Sequence, residues 1–278
     1  METIRAEQAG ACYGVKRALA MALDAVEDGS NASTLGPLIH NPQVVSELES
    51  RGVVAVENES QVEGGTVIIR SHGVTPDVKR RIVARGLPVV DATCPHVERA
   101  QKAAARLAST CDTVVVVGEA GHPEVEGLVA YASEAGAKVV VARSGADVPF
   151  ALSGSVGVVV QTTQTREALA DVLAALEKLP VSTQVKDTVC LATRERQESA
   201  AKLAREVDAM VVIGGRNSSN TTRLAEICAE VCERTYHIEC AAELDSARFE
   251  GCAKVGITAG ASTPEDQISA VEKLIQSW

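Results

Sequence analysis

The chain has 278 residues, 46% hydrophobic and 23% charged, with 27 basic against 37 acidic side chains and a net charge of −10. This supplies a sizeable core and argues against nucleic acid or an anionic membrane as the main partner; with 2% aromatics there is little to stack on bases. The longest apolar runs, such as Val114–Val117 and Val156–Val160, fall far short of the roughly 18 residues a membrane helix needs, and the opening METIRAEQAG lacks a signal pattern, so a cytoplasmic protein is expected.

Taken in order, the chain opens on a weak strand near 3–8, followed by Cys12 and a helix over 14–28. A strand at 32–35 leads into the loop PLIHNP with His40, then a helix over 42–50 and strands at 53–56 and 66–70. The loop RSHGV with His72 precedes a helix over 76–84. A second set runs strand 88–92, Cys94, helix 96–108, strand 113–117, the loop GEAGHPEV with His122 and Glu124, helix 123–135 and strands 137–142 and 156–160. The loop QTTQT with Thr162 and a helix over 166–178 close it. The third runs strand 185–189, Cys190, helix 193–206, strand 209–213, the loop GGRNSSNT, helix 219–233 and strands 235–238 and 254–258. It ends on the loop AGASTPE with Ser262 and a helix over 264–276. Strands alternating with helices predict mostly parallel sheets covered on both faces.

Cys12, Cys94 and Cys190 divide the chain into three near-equal parts, each opening a similar segment: CYGVKRAL, CPHVERAQ and CLATRERQ. Twenty-eight residues after each cysteine comes a polar loop residue, His40, His122 or Ser218. The expected architecture is therefore three α/β repeats, 1–86, 87–180 and 181–278, with joints near Gly86–Pro88 and Leu179–Val181. Nine loops in register, counting the three cysteine turns, lie at the carboxyl ends of strands, where open α/β sheets place ligands.

Eight cysteines without a secretion signal argue against a disulfide framework and for metal binding or catalysis by a subset. Cys12, Cys94 and Cys190 each precede a helix with basic residues nearby, which favours the thiolate that ligates metal. Three thiolates suit zinc with a histidine (His40, His72 or His122) or a cubane iron–sulfur cluster with one iron lacking a protein ligand. Cys111, Cys228, Cys232, Cys240 and Cys252 have no equivalents; Cys228 and Cys232, four apart on a helix, could pair on a metal, but they share an apolar stripe with Leu224, Ile227 and Val231 and are expected in the core. His96 and His237 are read as structural.

His40, His72 and His122, with Ser218, Ser219, Asn220, Thr162 and Ser262 at helix starts, form a set suited to phosphate. Glu124, facing such a pocket, is the candidate proton donor. No Gly-x-Gly-x-x-Gly or Walker loop is present, so neither a dinucleotide nor ATP is indicated, and electrons would come from an external donor.

These motifs resemble the 4-hydroxy-3-methylbut-2-enyl diphosphate reductases, also called IspH or LytB. The resemblance runs through CYGVKRA, IHNPQVV, RSHGV, DATCP, GEAGHPEVEG, QTT, DTVCLATRERQ, NSSNT and GAST, in that order over the whole chain. It implies three similar α/β domains in a pseudo-threefold arrangement around a 4Fe–4S cluster held by Cys12, Cys94 and Cys190, one iron having no protein ligand. It also implies reductive dehydroxylation of the allylic diphosphate to isopentenyl and dimethylallyl diphosphate, the last step of the non-mevalonate (methylerythritol phosphate) isoprenoid pathway. His40, His72, His122, Ser218, Ser219, Asn220 and Ser262 would hold the diphosphate, with Glu124, assisted by Thr162, delivering protons. The electron donor would be of ferredoxin or flavodoxin type. The alternatives are a zinc-stabilised phospholigand-binding module without catalysis, and an iron–sulfur hydro-lyase needing no reductant.

Overall fold

The computed structural model describes residues 1–278. In chain order its elements are β1 (Glu2–Arg5), α1 (Tyr13–Asp24), β2 (Ala32–Leu35), α2 (Pro42–Ser50), β3 (Val53–Val56), β4 (Thr66–Ile69), α3 (Pro76–Ala84) and β5 (Val89–Asp91). Next come α4 (Pro95–Ala108), β6 (Thr113–Val117), α5 (Pro123–Glu134), β7 (Lys138–Ala142), β8 (Gly154–Val160), α6 (Arg166–Leu176) and β9 (Val181–Lys186). The last are α7 (Leu191–Ala204), β10 (Ala209–Ile213), α8 (Ser219–Ala229), β11 (Thr235–Ile238), β12 (Lys254–Ala259) and α9 (Glu265–Gln276). No helix is long and apolar enough to cross a membrane.

The strands form three four-stranded sheets, ordered β3-β2-β4-β5, β7-β6-β8-β9 and β1-β12-β10-β11. Every pairing is parallel. The sequence dictates this: parallel neighbours need crossovers long enough for a helix, and the central strands TVVVV and AMVVI are apolar on both faces. In β10, Val211 and Ile213 pack with Ile268, Val271 and Ile275 of α9. Met210 and Val212 face Ala200, Leu203 and Leu224 of α7 and α8 instead. The same alternation in β6 sends Val114 and Val116 to α4 and α5, and Val115 and Val117 to α6. The chain comprises two compact units, one of Met1–Lys16, His40–Val44 and Leu191–Trp278, the other of Arg17–Ile39 and Val45–Cys190. The β1-β12-β10-β11 sheet lies in the first unit and the other two sheets in the second.

Three small α/β sheets answer to the three expected repeats, but sheet and repeat are offset by one strand. The strand that opens the second repeat, β5, pairs with β4 of the first sheet, and β9 pairs with β8 of the second. The third sheet takes its edge strand, β1, from the other end of the chain. Each cysteine therefore stands where the chain leaves one sheet for the helix that begins the next repeat. The expected strand at 185–189 is displaced: β9 occupies Val181–Lys186, and Asp187–Cys190 is irregular. There the Thr188 side chain replaces a strand partner, its hydroxyl accepting the Val160 N–H at 3.0 Å and donating to the Val160 carbonyl.

Candidate active site

The three repeat-related cysteines have one local geometry. Each directly precedes a helix (α1, α4 or α7) and each is a partly exposed cysteine outside any disulfide. The Cys12 amide donates to Ala261 (3.0 Å), that of Cys94 to Ser71 (2.9 Å) and that of Cys190 to Thr162 (3.1 Å). All three acceptors lie in loops that follow a central strand: β12, β4 and β8. The carbonyls of Cys12 and Cys94 in turn take the first helical N–H, from Lys16 and Glu98, each at 2.9 Å. A sulfur so placed lies at the positive end of a helix, the end that favours negative charge. The unmatched cysteines differ: Cys111, Cys228, Cys232 and Cys252 are buried, as expected for Cys228 and Cys232, and Cys240 is partly exposed. Burial pushes the Cys228 thiol up to about 12.

In the second unit, His122 caps α5, its Nδ1 accepting the Glu124 N–H at 3.1 Å, so the neutral ring carries its proton on Nε2. The His72 ring stands edge-on to it, centroids 5.6 Å apart. Glu124, 1% exposed, receives two hydrogen bonds from one residue. The Thr162 N–H donates to one carboxyl oxygen at 2.6 Å and the Thr162 hydroxyl to the other at 2.8 Å. Burial outweighs these bonds and raises the carboxyl to about 7. Thr162 thus touches Glu124 with its N–H and hydroxyl and Cys190 through its carbonyl. Beside it the fully buried Gln161 accepts the Glu119 N–H at 3.0 Å and donates to the Thr163 hydroxyl at 3.1 Å, fixing the loop that carries His122. Arg70, two residues ahead of His72, is held below its usual pKa by burial, against the opposing pull of Glu126.

In the first unit, His40 and Ser262 are locked together. The Ser262 hydroxyl donates to the His40 carbonyl at 3.1 Å, and the Asn41 amide donates to the Ser262 carbonyl at 3.0 Å. Asn41 also caps α2, its Oδ1 accepting the N–H groups of Gln43 (3.1 Å) and Val44 (3.2 Å). A Cβ on Gly215 would lie 2.6 Å from the His40 carbonyl, so only glycine admits this approach. Ser218 caps α8 through the Thr221 N–H (3.4 Å), with Ser219 and Asn220 buried in its first turn. Asn220 is 4% exposed, and neither its amide nitrogen nor its oxygen has a hydrogen-bond partner. Buried amides are rarely left so, and this one is suited to a polar ligand.

Sequence reasoning passed over Asn41, Gln161 and Thr188. The signal for Asn41 was present: Asn before Pro is a cap followed by the favoured first helical residue, so the repeat-equivalent of His122 as a cap is Asn41, not His40. His237 meets the Gly214 carbonyl at 2.9 Å and His96 the Arg99 guanidinium at 2.8 Å.

The family model described as LytB protein matches residues 3–276. The 4-hydroxy-3-methylbut-2-enyl diphosphate reductase of Geobacter sp. (strain M21) is 50% identical over 282 residues, covering 98% of this chain and 99% of its own. That of Geobacter sulfurreducens is 50% identical over 278 residues, covering 100% and 98%. A solved structure of (E)-4-hydroxy-3-methyl-but-2-enyl diphosphate reductase, described as the terminal enzyme of the non-mevalonate pathway, is 44% identical over the whole of both chains at a TM-score of 0.72. The Plasmodium falciparum E-1-hydroxy-2-methyl-but-2-enyl-4-diphosphate reductase, 24% identical, shares the fold at a TM-score of 0.88 over 98% of this chain and 87% of its own.

Proposed function

The chain belongs to the LytB family, and from that membership and its site we propose how it works as a 4-hydroxy-3-methylbut-2-enyl diphosphate reductase, the terminal enzyme of the non-mevalonate pathway. Two electrons and two protons are consumed for each allylic hydroxyl removed. One proton leaves with the hydroxyl as water; the other goes to an end of the allyl unit, giving isopentenyl or dimethylallyl diphosphate.

We assign Cys12, Cys94 and Cys190 as the ligands of a 4Fe–4S cluster with one iron free of protein ligands. The donor set fits: three partly exposed thiols at helix starts, while buried Cys228, Cys232 and Cys252 are packed into cores. When bound, such a cluster supplies one-electron transfer and a Lewis-acidic iron. The electrons come from an external carrier of ferredoxin or flavodoxin type. We place the reaction in the cytoplasm, in keeping with eight cysteines of which none is in a disulfide.

The chain's own groups bind the substrate and move protons. Asn220 offers both halves of its buried amide, Ser218 and Ser219 their hydroxyls and the start of α8, and His40, His72 and His122 their ring N–H groups to the diphosphate. Ser262, whose proton goes to the His40 carbonyl, holds that loop and turns to the diphosphate on binding. Glu124 delivers the protons, with Thr162 fixing its carboxyl. The observation that carries this reading is the Glu124–Thr162–Cys190 chain of hydrogen bonds, which joins a carboxyl poised near 7 to a cluster ligand. Its test is turnover by anaerobically reconstituted protein with a one-electron reductant. We expect both products with reductant and none without it; turnover without reductant would make the chain a hydro-lyase.

A further inference from the structure

The segments that lead into the three cysteines are held in two different ways. Cys94 closes Asp91-Ala-Thr-Cys, where the Asp91 carboxylate accepts the Thr93 N–H at 3.1 Å. Cys190 closes Asp187-Thr-Val-Cys, where the Asp187 carboxylate accepts the Val189 N–H at 3.1 Å. Both are aspartate turns, built from side chains within the segment. Cys12 closes Ala9-Gly-Ala-Cys, where alanine stands in the aspartate's place. Gly10 there has φ +88°, and the segment has no side chain able to brace its own turn.

The brace comes from far along the chain. Arg196, 4% exposed on α7, donates through one terminal nitrogen to the Ala192 carbonyl at 2.9 Å and through the other to the Gly10 carbonyl at 2.7 Å. Beside it the Gln8 N–H donates to the Ser199 hydroxyl of the same helix at 3.2 Å. The amides of Gly10 and Cys12 are taken by Ala259 (3.2 Å) and Ala261 (3.0 Å), so Arg196 fixes the opposite side of the peptide chain. A planar fork joins two carbonyls at once; a lysine ammonium on its flexible stem does not reproduce that geometry.

We propose that Arg196 is a positioning residue for Cys12, replacing the missing aspartate turn and presenting the thiolate in place for the cluster. It also ties the Cys12 segment to the helix that starts directly after Cys190. The proposal rests on the reading of Cys12 as a ligand.

Two measurements on the full chain test it. In the first, iron is extracted by a chelator from anaerobically reconstituted wild type and Arg196→Lys, followed by the visible absorption of the cluster. In the second, the apo chain is alkylated and each cysteine's rate read by peptide mass mapping. We expect Arg196→Lys to lose its cluster several-fold faster and its Cys12 to alkylate several-fold faster, with Cys94 and buried Cys111 unchanged. A uniform rise at all three cysteines would mean general loosening and overturn the proposal, as would an unchanged Cys12. Separately, Cys12→Ser that keeps its full iron would overturn the ligand assignment, whatever the alkylation rates show.

Discussion

The role proposed for Glu124 is measurable by pH as well as by rate. Its carboxyl rises from 4.5 to about 7 on folding, chiefly through burial. Below pH 4.5 the carboxyl is protonated in folded and unfolded chains alike, and burial of its charge costs nothing. As pH rises, the unfolded chain ionises first, so folding loses stability, by about 3 kcal/mol once pH passes 7. Glu124→Gln removes that dependence: thermal unfolding of the apo chain should show the variant gaining on wild type from pH 4.5 to 8. Parallel profiles would mean the carboxyl is not held neutral. The same variant should keep its cluster and bind substrate near normally, yet turn over about a hundred to ten thousand times more slowly, as loss of a positioned proton donor does. Turnover within a few-fold of wild type, with the cluster intact, would assign proton delivery elsewhere. Asn220→Ala should raise KM for the diphosphate with the cluster spectrum unchanged, because its buried amide has no partner to lose. An unchanged KM would remove Asn220 from the binding set.

At the scale of elements, Asn41 joins two functions in one side chain, capping α2 and bonding the Ser262 carbonyl. Asn41→Ala should cost about 1 kcal/mol for the cap alone. It should also raise KM, because the His40–Ser262 lock loses a bond; a lower unfolding midpoint with normal KM would confine Asn41 to the cap. Elements with strong periodicity were legible in the chain: β6, β10 and α3 lie where apolar runs and caps put them. β9 was not, because an exposed edge strand reading VSTQVK shows no apolar run, while the Thr-Val-Cys beyond it imitates one. The partner of β5 was equally hidden, since a parallel strand's own residues do not say which sheet it joins. In the proposed site, the cysteines and loop residues stand out in the sequence because they recur with the repeat. Arg196 and Thr188 could not, because their partners lie 186 and 28 residues away.

Over the whole molecule, one α/β plan is used three times, and each use ends a sheet at a cysteine whose amide is tied to the loop after a central strand. That recurrence gives three residues scattered along 278 one local geometry, and a shared cluster is what we propose it serves. The direct measurement is iron and acid-labile sulfide per chain after anaerobic reconstitution, for wild type, Cys12→Ser, Cys94→Ser, Cys190→Ser and Cys111→Ser. We predict about four iron and four sulfide in wild type and Cys111→Ser, the content of one cubane cluster, and a sharp loss in each of the other three. A colourless wild type holding zinc, or full iron in any of those three variants, would contradict it.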